Sequence, residues 1–445
     1  MNVKAFNQGM MSLKKEKSVS KKINLNILVF FRKYPAVPYI LKWLFISLIV
    51  GGLIGTASAG FLQSLEWVTN FRENHLWIIG FLPIAGLLIG LLYYYWGKDV
   101  EAGNNLLIDT IHEPKQTIPF KMMPFVYLGT MATHLFGGSA GREGTALQMA
   151  GAIADQLSKP FKLTPDERKI LIIAAIAAGF GSVFGTPLAG AIFGMEVFLI
   201  GKLKYDSIFP AFAAAIIADL VTKLWNTQHT HYQIDFVPNV SFVNLVYAIV
   251  AGIIFGLCAA AFSKTLHFVG GLFKSKIKYP PLRPLIGGLI LVVIIYASGT
   301  TKYIGLGIPT IVESFTQQLP TYAFAIKMAL TILTLAAGFK GGEVTPLFFI
   351  GATLGSALSL FLPLPVGLLA GMGFVAVFAG ATNTPLACTI MAMELFGSEC
   401  GVYVAIACTI SYLLSGPTGI YGKQVVGEAK HSRFKNYLNK RIGEI

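Results

Sequence analysis

The chain has 445 residues, of which 54% are hydrophobic and 13% are Asp, Glu, Lys or Arg, and its mean hydropathy is +0.66. A soluble domain carries about 25% charged residues, so this chain has too little polar surface to cover a water-soluble globule. The net charge of +14 does not indicate nucleic-acid binding, because no basic module with interleaved aromatic residues accompanies it. The composition therefore favours a polytopic membrane protein.

Long apolar runs alternate along the chain with short, glycine-rich ones. A run of about 20 apolar residues crosses the hydrocarbon core as a helix. The predicted spans are 40–62, 76–96, 243–263, 284–298 and 322–338, and the runs that are too short to cross alone include 122–136, 146–158 and 384–396. This alternation is typical of the tilted and broken helices of transporters. We therefore predict an all-α membrane fold.

Lysine and arginine residues gather before the first apolar run and after the last one. Positively charged flanks stay in the cytoplasm, so we predict a multi-pass protein of the plasma membrane with both termini cytoplasmic. Residues 1–36 are then a basic N-terminal segment, 37–422 the transmembrane domain, and 423–445 a basic tail. A removable signal peptide is not expected, because no A-x-A-like cleavage site follows the first apolar run.

Cysteine and histidine usage argues against a metal centre. The cysteines lie in or beside apolar segments without C-x-x-C spacing, which predicts reduced, structural residues: Cys258, Cys388, Cys400 and Cys408. The seven histidines show no metal-ligand spacing, and neither His112 nor His134 is given a role. We predict no metal and no cofactor.

Two sequence blocks recur in the same order in the two parts of the chain. Gly-Arg-Glu-Gly-Thr at 141–145 is echoed by Gly-Gly-Glu-Val-Thr at 341–345. Gly-Thr-Pro-Leu-Ala at 185–189 is likewise echoed by Asn-Thr-Pro-Leu-Ala at 383–387. A repeat of this kind indicates that the chain consists of two homologous halves.

The halves are predicted to cover about 37–225 and 240–422. Each repeated block opens an apolar segment and so predicts a helix N-terminus. If these N-termini converge on one central point, the halves approach it from opposite sides, which favours inverted repeats. Glu196 and Glu394 occupy equivalent places in the halves, and we expect each carboxylate to be buried and bound by backbone N–H groups at another helix end.

The stretch from Gly137 to Thr145 carries the first candidate site. A glycine-rich segment that leads into a helix exposes unpaired N–H groups at the positive end of the helix dipole, and such an end binds anions. Glu143 lies in this turn, where its carboxylate competes with a dissolved anion for the donors. An ionisable group at membrane depth is a functional hypothesis. The alternative, that Glu143 caps its helix or pairs with Arg142, remains open.

These residues resemble the CLC family of chloride channels and proton-coupled anion transporters over nearly the whole chain. Gly141 to Gly144 resembles the gating-glutamate motif of that family, and Gly341 to Pro346 resembles its second anion-binding loop. The segment 185–190 is similar to a helix-opening segment of the family, and Tyr421 falls where its anion-coordinating tyrosine lies. The resemblance implies a homodimer in the lipid bilayer, with a separate pathway in each subunit.

Several positions depart from the usual family pattern. Asn104 stands where the first anion loop has the serine typical of chloride selectivity, and Val197 stands where an internal proton-accepting glutamate lies. Thr145 and Thr345 replace a proline and a small apolar residue. The combination is similar to the fluoride-exporting clade of CLC antiporters. It implies export of fluoride from the cytoplasm in exchange for protons, with Glu143 as the gating and proton-carrying residue.

The resemblance also implies which residues line the anion path: Asn104, Gly141, Arg142, Gly144, Glu343, Val344, Thr345 and Tyr421. Fluoride is small and strongly hydrated, so its site must replace the hydrogen bonds lost on dehydration. An Asn amide, a Thr hydroxyl and a Tyr phenol supply such donors. Taken singly, these residues also fit a turn, a helix N-cap and an interfacial aromatic. Thr345 is our candidate to receive the carboxyl group of Glu143.

Two other functions remain open at this point. A chloride/proton antiporter or an anion channel of the same family would be expected to keep the serine and the internal glutamate. An intramembrane enzyme would need a nucleophile–base pair or a metal cluster at membrane depth, and the sequence shows neither. We therefore do not predict an enzyme. The expected partners are fluoride, with chloride as the alternative, together with protons.

Overall fold

The computed structural model describes residues 33–445. The predicted N-terminal segment 1–36 therefore lies almost wholly outside the described residues. The chain divides into two units, residues 1–46 and residues 47–445. Of the first unit the structure describes residues 33–46, which contain the beginning of the first helix. The second unit holds every candidate site residue.

Eight α-helices fall in the first predicted half of the described chain. They are α1 (Ala36–Asn74), α2 (Leu82–Trp96), α3 (Asn104–His112), α4 (Met122–Leu135), α5 (Glu143–Asp155), α6 (Pro165–Phe184), α7 (Pro187–Glu196) and α8 (Ile208–Leu224). Proline opens α6 and α7 at the first helical position, where its missing N–H costs nothing. The repeated blocks at 141–145 and 185–189 thus lie at helix N-termini, as the sequence predicts.

The second predicted half contributes eight more α-helices. They are α9 (Phe242–Lys276), α10 (Leu282–Ser298), α11 (Ile308–Thr316), α12 (Ala323–Ala336), α13 (Val344–Leu358), α14 (Val366–Thr382), α15 (Pro385–Phe396) and α16 (Gly401–Leu414). Two short strands, β1 (Leu199–Ile200) and β2 (Val425–Val426), pair in parallel. Helices α13 and α14 are buried on every side, which is how a helix that is apolar all round packs in a core.

Four helical segments of the described chain are long and apolar enough to cross a membrane: Ala36–Asn74, Leu76–Trp96, Tyr205–Leu224 and Phe242–Lys276. Three of them contain predicted spans. The fourth lies outside the predicted spans and contains Asp219 and Lys223. The predicted spans 284–298 and 322–338 form α10 and α12, whose 17 and 14 residues are fewer than a straight crossing needs.

The two halves contact each other through equivalent groups. Glu394 at the end of α15 accepts hydrogen bonds from the N–H groups of Leu188 (3.0 Å) and Ala189 (2.7 Å) at the start of α7. Reciprocally, Glu196 at the end of α7 accepts them from Leu386 (3.2 Å) and Ala387 (2.9 Å) at the start of α15. Each carboxylate thus satisfies the open N–H groups of the other half's helix, as the sequence predicts.

The segment after Tyr421 packs against the helical body. The buried amide of Gln424 donates to the carbonyls of Val197 (2.6 Å) and Thr382 (2.7 Å). The N–H of Lys423 donates to Asn105 Oδ1 at 3.0 Å. These bonds satisfy backbone carbonyls that would otherwise be buried without donors. The predicted basic tail 423–445 is therefore in part a structural segment, fixed directly after a candidate site residue.

Candidate functional site

The carboxylate of Glu143 lies at the centre of the site and is fully buried. Glu143 is the first residue of α5, and its side chain turns toward the N-terminus of α13. Its Oε2 accepts hydrogen bonds from the N–H groups of Arg142 and Thr345, both at 3.1 Å, and the hydroxyl of Thr345 donates to its Oε1. The carboxylate thus accepts the hydrogen bonds that the two loops offer, and it fills the position that a small anion would take.

The two glycine-rich loops are joined by their backbones. The N–H of Gly141 donates to the carbonyl of Gly342 at 2.6 Å, and the N–H of Gly342 donates to the carbonyl of Gly141 at 2.8 Å. This bridge is antiparallel. The N–H of Gly141 is therefore bound to the second half, and the assignment of Gly141 to the anion path stays a prediction. Gly341 permits the approach, since a Cβ there would lie 2.5 Å from the Cβ of Ala140.

Asn104, Gly144 and Glu343 converge beside this bridge. A Cβ on Gly144 would lie 2.9 Å from Asn104 Nδ2 and 3.7 Å from Glu343 Oε2. Asn104 is the first residue of α3, after Gly103 with its left-handed φ of 59°. Within residues 33–445, neither Asn104 Oδ1 nor Glu343 Oε2 has a hydrogen-bond partner. Both are buried acceptor oxygens, so the partner that either of them lacks is a hydrogen-bond donor or a proton.

Tyr421 is buried, with 2% of its surface exposed. In the described part of the chain its hydroxyl has no hydrogen-bond partner, and it lies within electrostatic range of Glu343 and Glu143. An unpaired buried hydroxyl costs free energy, and the assignment of Tyr421 to the anion path stays a prediction. Val344, by contrast, is an apolar, fully buried residue that contributes the first turn of α13 and a wall of the site.

Arg142 and Glu143 border a small cavity, which we name the gate cavity. Its lining is Arg142, Glu143, Phe184, His229, Thr230, Tyr232, Ile308, Thr345, Phe348 and Leu395, and its volume is about 10 Å³. That volume holds about one water-sized particle. Arg142 Nε lies 3.6 Å from Glu143 Oε1, so the pair suggested as an alternative in the sequence does form, at the margin of the site.

A larger cavity of about 610 Å³ reaches the site from another direction, and we name it the basic cavity. Its charged lining comprises Lys98, Glu101, Lys274, Arg283, Lys340 and Glu343. Glu343 thus connects this cavity to the site that contains Glu143. This cavity could not be predicted from the sequence, because its cations come from four separate segments without a shared motif.

Two buried cations bind backbone carbonyls of the loops near the site, and they were not predicted from the sequence. Lys327 of α12 is fully buried and donates to the carbonyls of Tyr303 (3.1 Å) and Gly305 (2.6 Å). Arg72 donates to the carbonyl of His134 at 2.8 Å. A signal was present in the sequence, since Lys327 lies alone inside the predicted span 322–338 and a lysine at that depth demands a partner.

Comparison with known proteins places this geometry in a family. A family model described as "Voltage gated chloride channel" matches residues 85–416. A curated relative, the "Chloride/fluoride channel protein" of Pseudomonas syringae pv. tomato, is 54% identical over 402 residues, which cover 89% of each chain. The "H(+)/Cl(-) exchange transporter ClcA" of Klebsiella pneumoniae is 25% identical over 391 residues, covering 79% of this chain and 80% of that protein.

Solved structures agree with the fold. The crystal structure of a CLC-type fluoride/proton antiporter superposes with a TM-score of 0.84 at 36% identity, covering 86% of this chain and 97% of that one. A slow cyanobacterial Cl⁻/H⁺ antiporter shares the fold with a TM-score of 0.74 at 20% identity. The predicted all-α fold of inverted halves is confirmed, and this chain belongs to the voltage-gated chloride channel (CLC) family of membrane transport proteins.

Proposed function

We propose that this protein exports fluoride from the cytoplasm in exchange for protons, with Glu143 as the gate and the proton carrier. The sequence departures at Asn104, Val197 and Thr345 predict this activity. Two of the compared proteins carry matching names, one a chloride/fluoride channel protein and the other a fluoride/proton antiporter. Chloride/proton exchange is the alternative, since a more distant relative bears that name.

The observation that carries the proposal is the set of donors around the Glu143 carboxylate. Two backbone N–H groups and the hydroxyl of Thr345 bind it. A charged carboxylate and a fluoride ion both require such donors, so they compete for them. Protonation removes the charge of the carboxylate and weakens its hydrogen bonds to these donors. The donors then become available to fluoride. Fluoride binding and proton binding to Glu143 then favour each other equally, by linkage.

Fluoride selectivity in this proposal rests on side-chain donors beyond the backbone. In this proposal Asn104 Nδ2, which lies beside Gly144, and the hydroxyl of Tyr421, which lacks a partner in the described chain, supply hydrogen bonds to a dehydrated anion. Because fluoride loses more hydration free energy than chloride, it depends more on each of these donors. Glu343 adds a second carboxylate to the path, at the point where the path meets the basic cavity.

Asn104→Ser is expected to lower the fluoride-to-chloride flux ratio by about fivefold, the equivalent of about 1 kcal/mol for one hydrogen bond. The shorter serine hydroxyl cannot reach the place of the amide. The ratio is measured with ion-selective electrodes in reconstituted liposomes. Asn105→Ser is the matched control, because Asn105 accepts from Lys423 outside the site. An unchanged ratio in Asn104→Ser would remove Asn104 from the selectivity site.

We further propose the assembly and the orientation that the sequence suggests. We propose three apolar segments as the dimer faces, 208–224, 245–263 and 402–414, on which side chains such as Leu220, Leu257 and Val402 stay exposed. Such surface is covered by lipid or by a second subunit. Lys98, Lys274 and Arg283 lie in or beside connections between helices that are rich in cations, which supports a cytoplasmic location for the basic cavity. Both termini are then cytoplasmic, and the gate cavity faces outward.

Anion efflux from liposomes tests the proposed function. Liposomes that contain the purified protein are loaded with fluoride or with chloride, and release is recorded with the matching electrode. We expect fluoride release well above that of protein-free liposomes and faster than chloride release. Faster chloride than fluoride release would favour the chloride alternative, and no release of either anion would contradict transport.

A further inference from the structure

The connection between the two halves covers the gate cavity. Residues after α8 and before α9 form a loop, and three of them, His229, Thr230 and Tyr232, line the cavity together with Arg142 and Glu143. Under the proposed orientation this loop lies between Glu143 and the outer water. A proton that enters the gate cavity from this side therefore passes the groups that the loop presents.

His229 is held in one orientation by its surroundings. Its ring hydrogen-bonds the carbonyl of Val183, and a Cβ on Gly185 would lie only 2.7 Å from its Cδ2. Its Nε2 has no hydrogen-bond partner among the described residues, so the bond to Val183 comes from Nδ1. That bond leaves a neutral imidazole with its Nε2 lone pair available to accept a proton.

The carboxylate of Asp219 lies beside His229 Nε2. Asp219 Oδ1 lies 3.9 Å from His229 Nε2 and likewise has no hydrogen-bond partner in the described chain. The other oxygen, Oδ2, is paired with Lys223 Nζ at 2.7 Å. Asp219 is buried, with a side chain only 4% exposed, whereas the side chain of His229 is 11% exposed. His229 therefore borders both solvent and the cavity, and the oxygen of Asp219 that Lys223 does not bind lies beside its Nε2.

We propose that His229 relays protons between the outer water and Glu143, and that Asp219 stabilises its protonated form. This inference rests on the proposed function. A proton arriving from an outer hydronium ion binds Nε2 and leaves water behind, which converts His229 to an imidazolium. The imidazolium then passes this proton to the carboxylate of Glu143 through one water molecule, which the gate cavity has room to hold. His229 is then neutral again, and the gate is protonated.

The other groups that face the gate cavity cannot serve this role. Arg142 keeps its proton at all physiological pH values. Burial raises the pKa of Tyr232 to about 12, so its phenol does not release a proton near neutral pH. The hydroxyls of Thr230 and Thr345 exchange protons only along hydrogen-bonded chains. His229 is thus the group of this lining, apart from Glu143, whose side chain can both accept and release a proton.

The electrostatic surroundings of His229 favour brief binding of a proton over stable protonation of the ring. Burial first, and then the positive charges of Arg142 and Lys223, lower the pKa of His229 to about 4, while Asp219 acts in the opposite direction. The charge of Glu143 faces it across the cavity, and Glu394 lies within electrostatic range of Asp219. The imidazole is therefore neutral at rest, and a proton that it accepts passes on quickly.

The test compares proton movement driven by a fluoride gradient in wild-type protein and in two variants of His229. Asn places its amide near the position of Nδ1 and keeps the bond to Val183, whereas Ala vacates the space of the ring. We expect His229→Asn and His229→Ala to slow coupled proton movement by about tenfold, within the range that positioned proton-transfer groups contribute. Imidazole added to the outer solution is expected to restore the rate of His229→Ala. His231→Asn, an exposed residue two positions away, should behave as wild type.

The outcomes separate this inference from the proposed function. Absence of fluoride-driven proton movement in the wild-type protein would contradict the proposed antiport itself. Wild-type rates in both His229 variants would overturn the relay. A slowed His229→Ala protein whose rate responds neither to outer imidazole nor to outer pH would also overturn it, because that result indicates a structural role. Size-exclusion profiles equal to wild type confirm that the variants are folded.

Discussion

Replacing Glu143 by Gln is expected to abolish proton movement driven by a fluoride gradient. Glutamine keeps the shape of the protonated carboxyl group but neither accepts nor releases a proton. The donors at Arg142 and Thr345, which hold the charged carboxylate, would hold a neutral amide much more weakly. The variant therefore lacks the proton carrier, so proton movement should be lost whether or not the variant still transports anions. Proton uptake is recorded with a pH electrode while a fluoride gradient is imposed on reconstituted liposomes.

Glu394→Gln is the matched control for this prediction. It makes the same chemical change to another carboxylate that binds backbone N–H groups, but at the junction of α7 and α15 rather than at the gate. We expect it to retain coupled transport. Intact proton coupling in Glu143→Gln would remove Glu143 as the proton carrier and require another group. Loss of coupling in both variants would indicate a general effect of removing a buried charge.

The second large effect is expected for Thr345→Val. Valine has nearly the shape of threonine but lacks the hydroxyl that donates to Glu143 Oε1. A hydrogen bond to a charged group contributes about 1.5–3 kcal/mol, so the inward position of the carboxylate becomes about 10- to 100-fold less favoured. Because the carboxylate no longer returns to this position after each cycle, fluoride should leak without protons. The measured quantity is the number of protons moved per fluoride ion.

Thr345→Ser keeps the hydroxyl and serves as the control for loss of the methyl group. We expect its proton-to-fluoride ratio to remain close to that of the wild-type protein. A wild-type ratio in Thr345→Val would show that the backbone N–H of Thr345, which donates to Oε2 at 3.1 Å, is sufficient to hold the carboxylate. The hydroxyl would then have no part in gating.

The sequence predicted those parts of the site that lie at helix starts within repeated motifs. Glu143 was assigned because a glycine-rich turn before an apolar helix has a definite electrostatic consequence, whereas Thr345 was assigned through the family resemblance. The carboxylates of Glu196 and Glu394 bind N–H groups at another helix end, as expected from their equivalent places in the two halves. Asn104 and Tyr421 were located through the family resemblance, and the structure brings Asn104 next to Gly144, though their roles remain proposals.

Other features could not be predicted, because they depend on packing between distant segments. The N–H of Gly141 is bound to Gly342, and only the approach of the two halves determines that pairing. The basic cavity and the gate cavity each combine residues from several helices without a common spacing. His229 lies in a polar connection whose composition resembles that of an ordinary loop. The relay role that we propose for His229 follows only from its position beside Asp219 and in the cavity that Glu143 also lines.

The most direct test of the account is whether a fluoride gradient drives protons uphill through the wild-type protein. Liposomes are loaded with fluoride and placed in fluoride-free buffer at equal pH, and the membrane voltage is held near zero with a potassium ionophore. Outward fluoride flow should draw protons inward and acidify the liposome interior in a fixed ratio to the fluoride released. Fluoride release at the same rate with no proton movement would identify a channel and contradict coupled exchange through Glu143.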